Sequence, residues 1–417
     1  MLLDAPLQDL DHPVLAELDD HRLVAWAAAE IGVPRRDVPG DRSSFVLHAP
    51  LELLARAALL PHVAAADRGT ARRRVASLVA GYVATGSPLG DPSVEEHPSM
   101  EACEAVLAAA ISAGDGPRVD SAAAWLGARA RPSDLVRLLS PTSVDRLGAA
   151  GHGNIYLALL ARTQPRGLPG QMLRHPMAAL ALDPARRIDV PDAVLSADPS
   201  GRPGRPVLDV LREIEPIGPP PSRSIASMVE HAAAAGVFDA LVEVDLDGPA
   251  ADVRVLRFAA QAMLQGPSDQ APYGWTHCLT LAQAALMLGA DAPDIVGVRR
   301  ARYVAAAYLA AHWAASGEGT VDLDHVPEHT TTDLRDALFG APELAAAAAW
   351  HAPDTSATAA LLASTASVNH DAHRVKYTLA CLDAGAADPA ARRLHLAAAA
   401  YLHAWWHAHP DTTDPLA

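Results

Sequence analysis

Cysteine and aromatic residues are scarce in this sequence. Its 3 cysteines stand singly, with no CxxC spacing, which argues against a cysteine-based zinc site or a disulfide framework and favours a reducing compartment. Aromatic residues make up only 4% of the chain, so the interior must be built mainly from Ala, Leu and Val. This composition favours closely packed helices over sheets, because Ala and Leu are strong helix formers.

Basic residues are fewer than acidic ones, and long apolar runs are absent from the sequence. The 33 Lys and Arg are outnumbered by 49 Asp and Glu, a balance that repels nucleic-acid phosphates. No apolar run approaches the roughly 18 residues of a membrane-spanning helix. The first residues are acidic where a secretory signal would be basic. We therefore expect a cytoplasmic protein with neither a nucleic-acid nor a membrane partner.

Helical periodicity dominates the chain, and strand-like alternation is nearly absent. The segment 164–223 is crowded with Pro and Gly, which predicts a long connection between two helical blocks, with short helices in it. We expect an all-α fold over 1–417, a single large domain built from the blocks 45–163 and 270–385 around a central pocket.

The two blocks share landmarks in the same order. A histidine precedes a similar Leu-Ala helix in each block, at His48 and His277, and GHGNIYLALL matches AHRVKYTLACL, which aligns His152 with His373. We interpret this pattern as a duplicated unit, and chance similarity among Ala-rich helices is the alternative. If the blocks pack around a pseudo-twofold axis, the four histidines approach one central space.

This convergence makes His48, His152, His277 and His373 candidate ligands of one transition-metal ion. The spacing of His48 and Glu52 also suits a metal, because side chains four residues apart on a helix lie side by side. The alternative for Glu52 is a carboxylate favoured near a helix N-terminus. The HExxH signature of a metalloprotease is absent.

A second interpretation needs no metal. His277 in an apolar pocket would stay neutral and act as a general base, while His373 or Lys376 would stabilise a developing oxyanion. For any single histidine the alternative is an ordinary core residue whose ring nitrogens are hydrogen-bonded.

Three aromatic residues near these histidines are candidates for substrate binding. Tyr156 and Tyr377 each follow a landmark histidine by four residues, about one helical turn. Trp275 ends the rigid stretch APYGW, which would place it at a pocket mouth, although simple packing explains it equally. The sequence has no GxGxxG, P-loop or GxSxG motif, which argues against a Rossmann nucleotide site.

Four short motifs, HPSME, GHGNIY, THCLT and HRVK, occur in an order that resembles the questin oxidase-like proteins, over roughly residues 45 to 385. That family includes fungal enzymes that open anthraquinone rings by a Baeyer–Villiger-type insertion of oxygen. The resemblance implies an NADPH-linked oxidoreductase without a recognisable flavin-binding fold. Carried over motif by motif, it points to His97, His152, His277, His373 and Lys376.

The leading hypothesis is an oxygenase that acts on a small natural product in a histidine-lined pocket. Its cofactor would be a transition metal such as iron, or NADPH by the resemblance. A metal-dependent enzyme of another class, such as a hydrolase, and a noncatalytic helical binding or scaffold protein are the alternatives. The expected partner is a small-molecule substrate, and homo-oligomerisation stays open. The catalytic candidates are His152, His277, His373 and Lys376, with His97 in substrate binding.

Overall fold

Helices account for nearly all the regular structure of this chain. The computed structural model describes residues 18–163, 170–195, 204–222, 224–248, 250–290, 292 and 294–410. Over these residues the strands are one antiparallel pair of two residues each, β1 (Arg35–Arg36) and β2 (Ser87–Pro88). The predicted all-α fold class is confirmed.

The chain divides into two compact units that differ from the predicted blocks. The first unit draws its described residues from Met1–Arg187 and Ala363–Lys376, and the second from Ile188–Leu362 and Tyr377–Thr412. The predicted block 45–163 falls inside the first unit, whereas the block 270–385 contributes residues to both. The predicted duplication is not confirmed.

The first unit is built on helices that are capped by their own sequence. Asp19, Ser99 and Asp115 each accept a hydrogen bond from a backbone N–H in the first turn of the helix that follows them. These helices are α1 (Asp20–Ile31), α2 (Ser43–Leu59), α3 (Ala65–Val83), α4 (Met100–Ala113), α5 (Gly116–Arg129), α6 (Pro132–Ser143), α7 (His152–Thr163) and α8 (Arg174–Ala181). Short 3-10 segments lie at Gly40–Arg42, Leu60–His62, Gly148–Gly151 and Gly170–Leu173.

α2 is the central helix of the first unit and packs against α1, α3 and α7. Almost every side chain from His48 to Leu59 is buried. Within the described residues, Gly40–His62 is also long and apolar enough to cross a membrane, but 67% of that window is buried inside the structure. One such segment is weak support for a membrane span, because a buried core helix has the same length and composition.

The second unit has an alanine-rich core. Its helices are α9 (Asp192–Leu195), α10 (Val207–Arg212), α11 (Ile225–Ala234), α12 (Ala251–Gln265), α13 (Thr276–Ala290), α14 (Ile295–Ser316), α15 (Leu334–Ala337), α16 (Pro342–His351), α17 (Thr355–Val368), α18 (Ala372–Ala387) and α19 (Arg392–Ala408), of which α17 and α18 supply residues to both units. Every residue from Tyr303 to Ala315 is buried. A helix that is apolar all round is stable only in such an interior.

The Pro- and Gly-rich connection predicted over 164–223 carries more helix than its composition indicates. In its described part it holds the 3-10 segment Gly170–Leu173 and the helices α8, α9 and α10. Residues 164–169, 196–203 and 223 lie outside the described residues. The boundary between the two units, after Arg187, falls within this connection.

α19 carries a buried histidine, His395. Neither ring nitrogen of His395 has a hydrogen-bond partner among the described residues. Burial lowers the pKa of this imidazole from 6.5 to about 4. His395 is therefore protonated near pH 6.5 in the unfolded chain but only near pH 4 in the folded chain. As the pH falls from 6.5 to 4, proton uptake favours the unfolded chain and the free energy of unfolding decreases.

We expect the variant His395→Phe to be less sensitive to acid than the wild type. The 2.5-unit difference between the unfolded value of 6.5 and the folded value of about 4 corresponds to roughly 3 kcal/mol of unfolding free energy. Urea unfolding at intervals from pH 7 to pH 4 measures it. His407→Gln, at an exposed position on the same helix, is the control and should retain the wild-type pH dependence. Equal pH dependence in His395→Phe and the wild type would contradict the prediction.

Candidate metal centre

α2 places His48 in the interior of the first unit. The ring is buried, and its Nδ1 lies 2.8 Å from the carbonyl oxygen of Ser44, one helical turn earlier. A carbonyl oxygen can only accept, so Nδ1 carries the hydrogen and the lone pair of the neutral ring is on Nε2. Burial, helped by nearby Lys376, lowers the pKa of His48 to about 3, so the ring is neutral near pH 7.

His152 is the first residue of α7 and is held by a strained turn. In the preceding segment Gly148–Gly151, Ala149 and Ala150 have φ values of 48° and 56°. This left-handed conformation costs a non-glycine residue about 1–2 kcal/mol. Nδ1 of His152 donates to the carbonyl oxygen of Ala149 at 2.5 Å, which selects the same tautomer as in His48. Strained backbone of this kind is concentrated at functional sites.

His373 lies in the first turn of α18, where Asp371 caps the helix. The Asp371 carboxylate accepts hydrogen bonds from the backbone N–H groups of His373 and Arg374, at 2.7 Å and 3.1 Å. The same oxygen lies 3.6 Å from Nδ1 of His373. Asp371 therefore sets both the start of the helix and the charge beside the ring.

The three rings meet inside the first unit. One nitrogen from each of His48, His152 and His373 lies within 4.8 Å of the other two. The ring centroids are 4.5 Å apart for His48 and His152, 4.8 Å for His48 and His373, and 6.3 Å for His152 and His373. Among the described residues, this is the group of His, Cys, Asp and Glu side chains that could hold a metal ion.

The orientation of the rings matches that of metal-ligating histidines. Such histidines usually direct the ring nitrogen that does not bind the metal at a carbonyl or carboxylate oxygen, which fixes the tautomer. The carbonyl oxygens of Ser44 and Ala149 accept from Nδ1 of His48 and His152, and the Asp371 carboxylate lies 3.6 Å from Nδ1 of His373. In a zinc site with bonds of about 2.0–2.1 Å, the ligand nitrogens are roughly 3.3 Å apart, a separation within the 4.8 Å that contains these three nitrogens.

Two opposite charges flank the cluster. Lys376, only 2% exposed, stands three residues beyond His373 on α18 and disfavours a proton on His48. Asp371 acts in the opposite direction. The site therefore combines the neutral imidazole of His48 with a buried lysine and a carboxylate.

A buried ion pair anchors the segment that carries His373. Arg56, 1% exposed, donates from Nε and Nη2 to the Glu52 carboxylate one turn earlier on α2, at 2.7 Å and 2.5 Å. It also donates to the carbonyl oxygens of Ser367, at 2.5 Å, and Asn369. These bonds hold the turn between α17 and α18 against α2, the helix that presents His48.

The structure gives Glu52 a different role from the one predicted. Its carboxylate is bound by Arg56, and Glu52 is not part of the metal-competent group. Burial raises the pKa of Glu52, and Arg56 opposes that rise. The alternative of a charge favoured by a helix N-terminus is also wrong, because Glu52 lies near the middle of α2.

Two further predicted residues lie in the first unit. Tyr156 is buried on α7, and its hydroxyl donates to the sulfur of Met172 at 3.6 Å. It lines the same cavity as His152, so its role in substrate binding stays a prediction. His97 precedes α4 and packs edge-on against Trp125, with ring centroids 5.2 Å apart. It is not a member of the histidine cluster.

The remaining predicted residues belong to the second unit. His277 is fully buried at the start of α13, and its Nδ1 donates to the carbonyl of Tyr273 in the π-helical turn Ala271–Trp275. Trp275 is fully buried, where the sequence predicted a pocket mouth, and it donates to the Pro267 carbonyl at 3.2 Å. Tyr377 is buried within α18. Catalytic, metal-binding and substrate-binding roles for these residues stay predictions.

Several residues that shape the site were missed from the sequence. The capping role of Asp371 could have been predicted, because an aspartate directly before a helical segment is a typical N-cap. This aspartate precedes His373 by two residues. Arg56 and the strained Ala149 could not be recognised from the sequence, because their roles depend on partners that are set by the fold.

Comparison of the chain with protein-family models, curated proteins and solved structures finds no match.

We expect Arg56→Met to destabilise the protein by about 3–5 kcal/mol, because it leaves the Glu52 charge buried without a counterion. Urea unfolding at pH 7 measures the loss. The double variant Glu52→Leu with Arg56→Met removes both charges and should recover part of it. A loss below about 1 kcal/mol for Arg56→Met would show that the pair does not anchor the segment.

Proposed function

We propose that this chain binds one transition-metal ion through Nε2 of His48, His152 and His373 and works as a metal-dependent enzyme on a small molecule. The observation that carries the proposal is the meeting of three buried imidazoles whose Nδ1 atoms face oxygen atoms. Ordinary core histidines satisfy their nitrogens singly, and three rings in contact with one another are unusual in that role.

Three protein ligands favour catalysis over a structural role for the metal. Structural zinc sites are closed by four protein ligands, whereas catalytic sites keep a position for water or substrate. Imidazole nitrogen suits zinc, iron, copper and nickel. When bound, such an ion supplies a Lewis acid and a site for activating water or oxygen.

The chain's own residues would support that chemistry. The carbonyl oxygens of Ser44 and Ala149 hold the rings of His48 and His152 in the tautomer with the lone pair on Nε2. Lys376 places a buried positive charge beside the cluster, where it would stabilise negative charge that develops on a substrate. Burial excludes bulk water and strengthens this effect.

An oxygenase is the second candidate, supported by one observation. The questin oxidase-like resemblance points to five residues. Two of them, His152 and His373, belong to the histidine cluster, and Lys376 lies on the same helix as His373. This reading adds NADPH as the reductant and iron as the metal. A hydrolase would use the same three ligands with zinc.

Purified protein reconstituted with Zn²⁺ or Fe²⁺ should hold about one ion per chain. His152→Ala and His373→Ala should each lower the affinity by more than the 10–100-fold expected for losing a supporting residue, and Asp371→Asn should fall within that range. Inductively coupled plasma mass spectrometry after dialysis against graded chelator measures it. His21→Ala, at an exposed position in the first unit, is the control.

Failure of the wild type to retain any transition metal under these conditions would rule out the metal centre. Retention of wild-type affinity in His373→Ala would assign the metal to other residues.

The identity of the metal separates the two enzyme readings. An oxygenase should retain iron when the protein is produced and purified without oxygen, and should then couple oxygen uptake to NADPH oxidation. An oxygen electrode and NADPH absorbance measure the two rates, and His373→Ala should abolish both. Selective retention of zinc, with no oxygen uptake in the iron-loaded protein, would favour the hydrolase.

A further inference from the structure

A cavity of about 310 Å³ opens in the first unit and reaches His152. Its volume is at the lower end of the ~300–1,000 Å³ typical of small-molecule sites. The walls are largely apolar, with Val46, Leu47 and Leu51 on one side and Leu182 on another. Leu182, which also lines the cavity, is 66% exposed.

The cavity and the histidine cluster have His152 in common. Leu47 and Leu51 flank His48 on α2, and Tyr156 lies one turn beyond His152 on α7. A molecule in the cavity would therefore contact the His152 ring, which belongs to the proposed metal centre. This arrangement is the one expected of a substrate pocket next to a reacting centre.

Arg35 gives this apolar cavity a positive charge. Its Nε donates to the carbonyl of Thr85 at 2.9 Å, and its Nη2 donates to Val83 at 2.6 Å and Gly86 at 2.9 Å, at the C-terminal end of α3. Carbonyl oxygens orient the guanidinium without neutralising it. Among the described residues no carboxylate pairs with Arg35, and Nη1 makes no hydrogen bond.

No other charge in the described lining opposes Arg35. None of the described lining residues is acidic. His175 also lines the cavity, but burial lowers its pKa to about 4, so its ring is neutral near pH 7. Its Nε2 donates to the Ile31 carbonyl at 2.9 Å. The lining therefore offers one fixed positive charge on an apolar wall, which suits a single anionic group on an apolar body.

We propose that this cavity is the substrate pocket of the metal centre and takes a small, largely apolar carboxylic acid as its anion. The carboxylate binds Nη1 of Arg35, and the apolar body lies along Leu47 and Leu51 toward His152. The proposal rests on the proposed function for its link to catalysis, whereas the binding of the acid can be tested without the metal.

Isothermal titration calorimetry with octanoate, octanol and octylamine tests the proposal. These probes share one chain length and differ in charge. We expect octanoate to bind most tightly, with one site per chain, and octylamine to bind weakest. Arg35→Gln should weaken octanoate roughly tenfold to hundredfold and leave octanol unchanged, because a hydrogen bond to a charged group accounts for a difference of this size.

Two further variants keep the test decisive. Arg35→Lys retains the positive charge but not the full set of hydrogen bonds to the carbonyl oxygens at the end of α3. It should keep most of the preference for octanoate over octylamine, which separates the effect of the charge from the effect of these hydrogen bonds. Ala178→Trp places a bulky ring at an exposed position of the lining and should block all three probes. Ala109→Trp, the same change at an exposed position on α4 outside the lining, should block none.

The outcomes separate this proposal from the metal centre. Octanoate binding that survives both Arg35→Gln and Ala178→Trp, or equal affinity for octanoate and octylamine, would overturn the proposed ligand class, even in protein that holds its metal. Octanoate binding that follows these variants would support the pocket even in protein that retains no transition metal after reconstitution, a failure that by itself rejects the metal centre.

Discussion

The buried guanidinium of Arg56 is the contact on which the candidate site depends. It neutralises Glu52 on its own helix and donates to carbonyl oxygens more than three hundred positions later in the chain. Taking two charges out of water is costly, and the arrangement is tolerated only because each charge meets the other and the remaining donors meet backbone oxygens. The geometry that satisfies Arg56 also places the start of α18 beside α2. His373 reaches His48 as a consequence.

Backbone carbonyls and burial together give the histidine cluster its chemical character. Burial makes a charged imidazole costly, which keeps His48 neutral and able to offer a lone pair. Carbonyl oxygens at Nδ1 of His48 and His152 then place that lone pair on Nε2. The strained residues Ala149 and Ala150 lie directly before His152, and Ala149 supplies the carbonyl oxygen that its ring contacts. Backbone strain is retained where the surrounding structure enforces it.

The first unit combines a histidine cluster, a buried lysine and an apolar cavity with one arginine in its wall. Each feature has a structural explanation when taken singly. The cavity lining and the cluster have His152 in common, which supports the proposal that they form one site. The same features fit an oxygenase and a hydrolase equally well, because the ligand set alone does not fix the metal.

The sequence determined the fold class and named the three histidines of the cluster, together with His277, which is not in that group. Abundant Ala and Leu with few β-branched runs favour helices on local grounds, which needs no knowledge of distant contacts. His48, His152 and His373 were recognisable because polar side chains are costly on otherwise apolar helices. Their convergence was inferred from a duplication that the structure does not confirm.

Only the tertiary structure decided how these residues are used. The role of Glu52 changed from ligand to counterion because Arg56, four residues along, is turned toward it and toward the 367–369 backbone. The charge in the cavity comes from Arg35, whose place depends on the end of α3 some fifty residues away. A sequence records which groups are available and their spacing within a helix. Which group neutralises which charge depends on contacts between distant segments, and these exist only after folding.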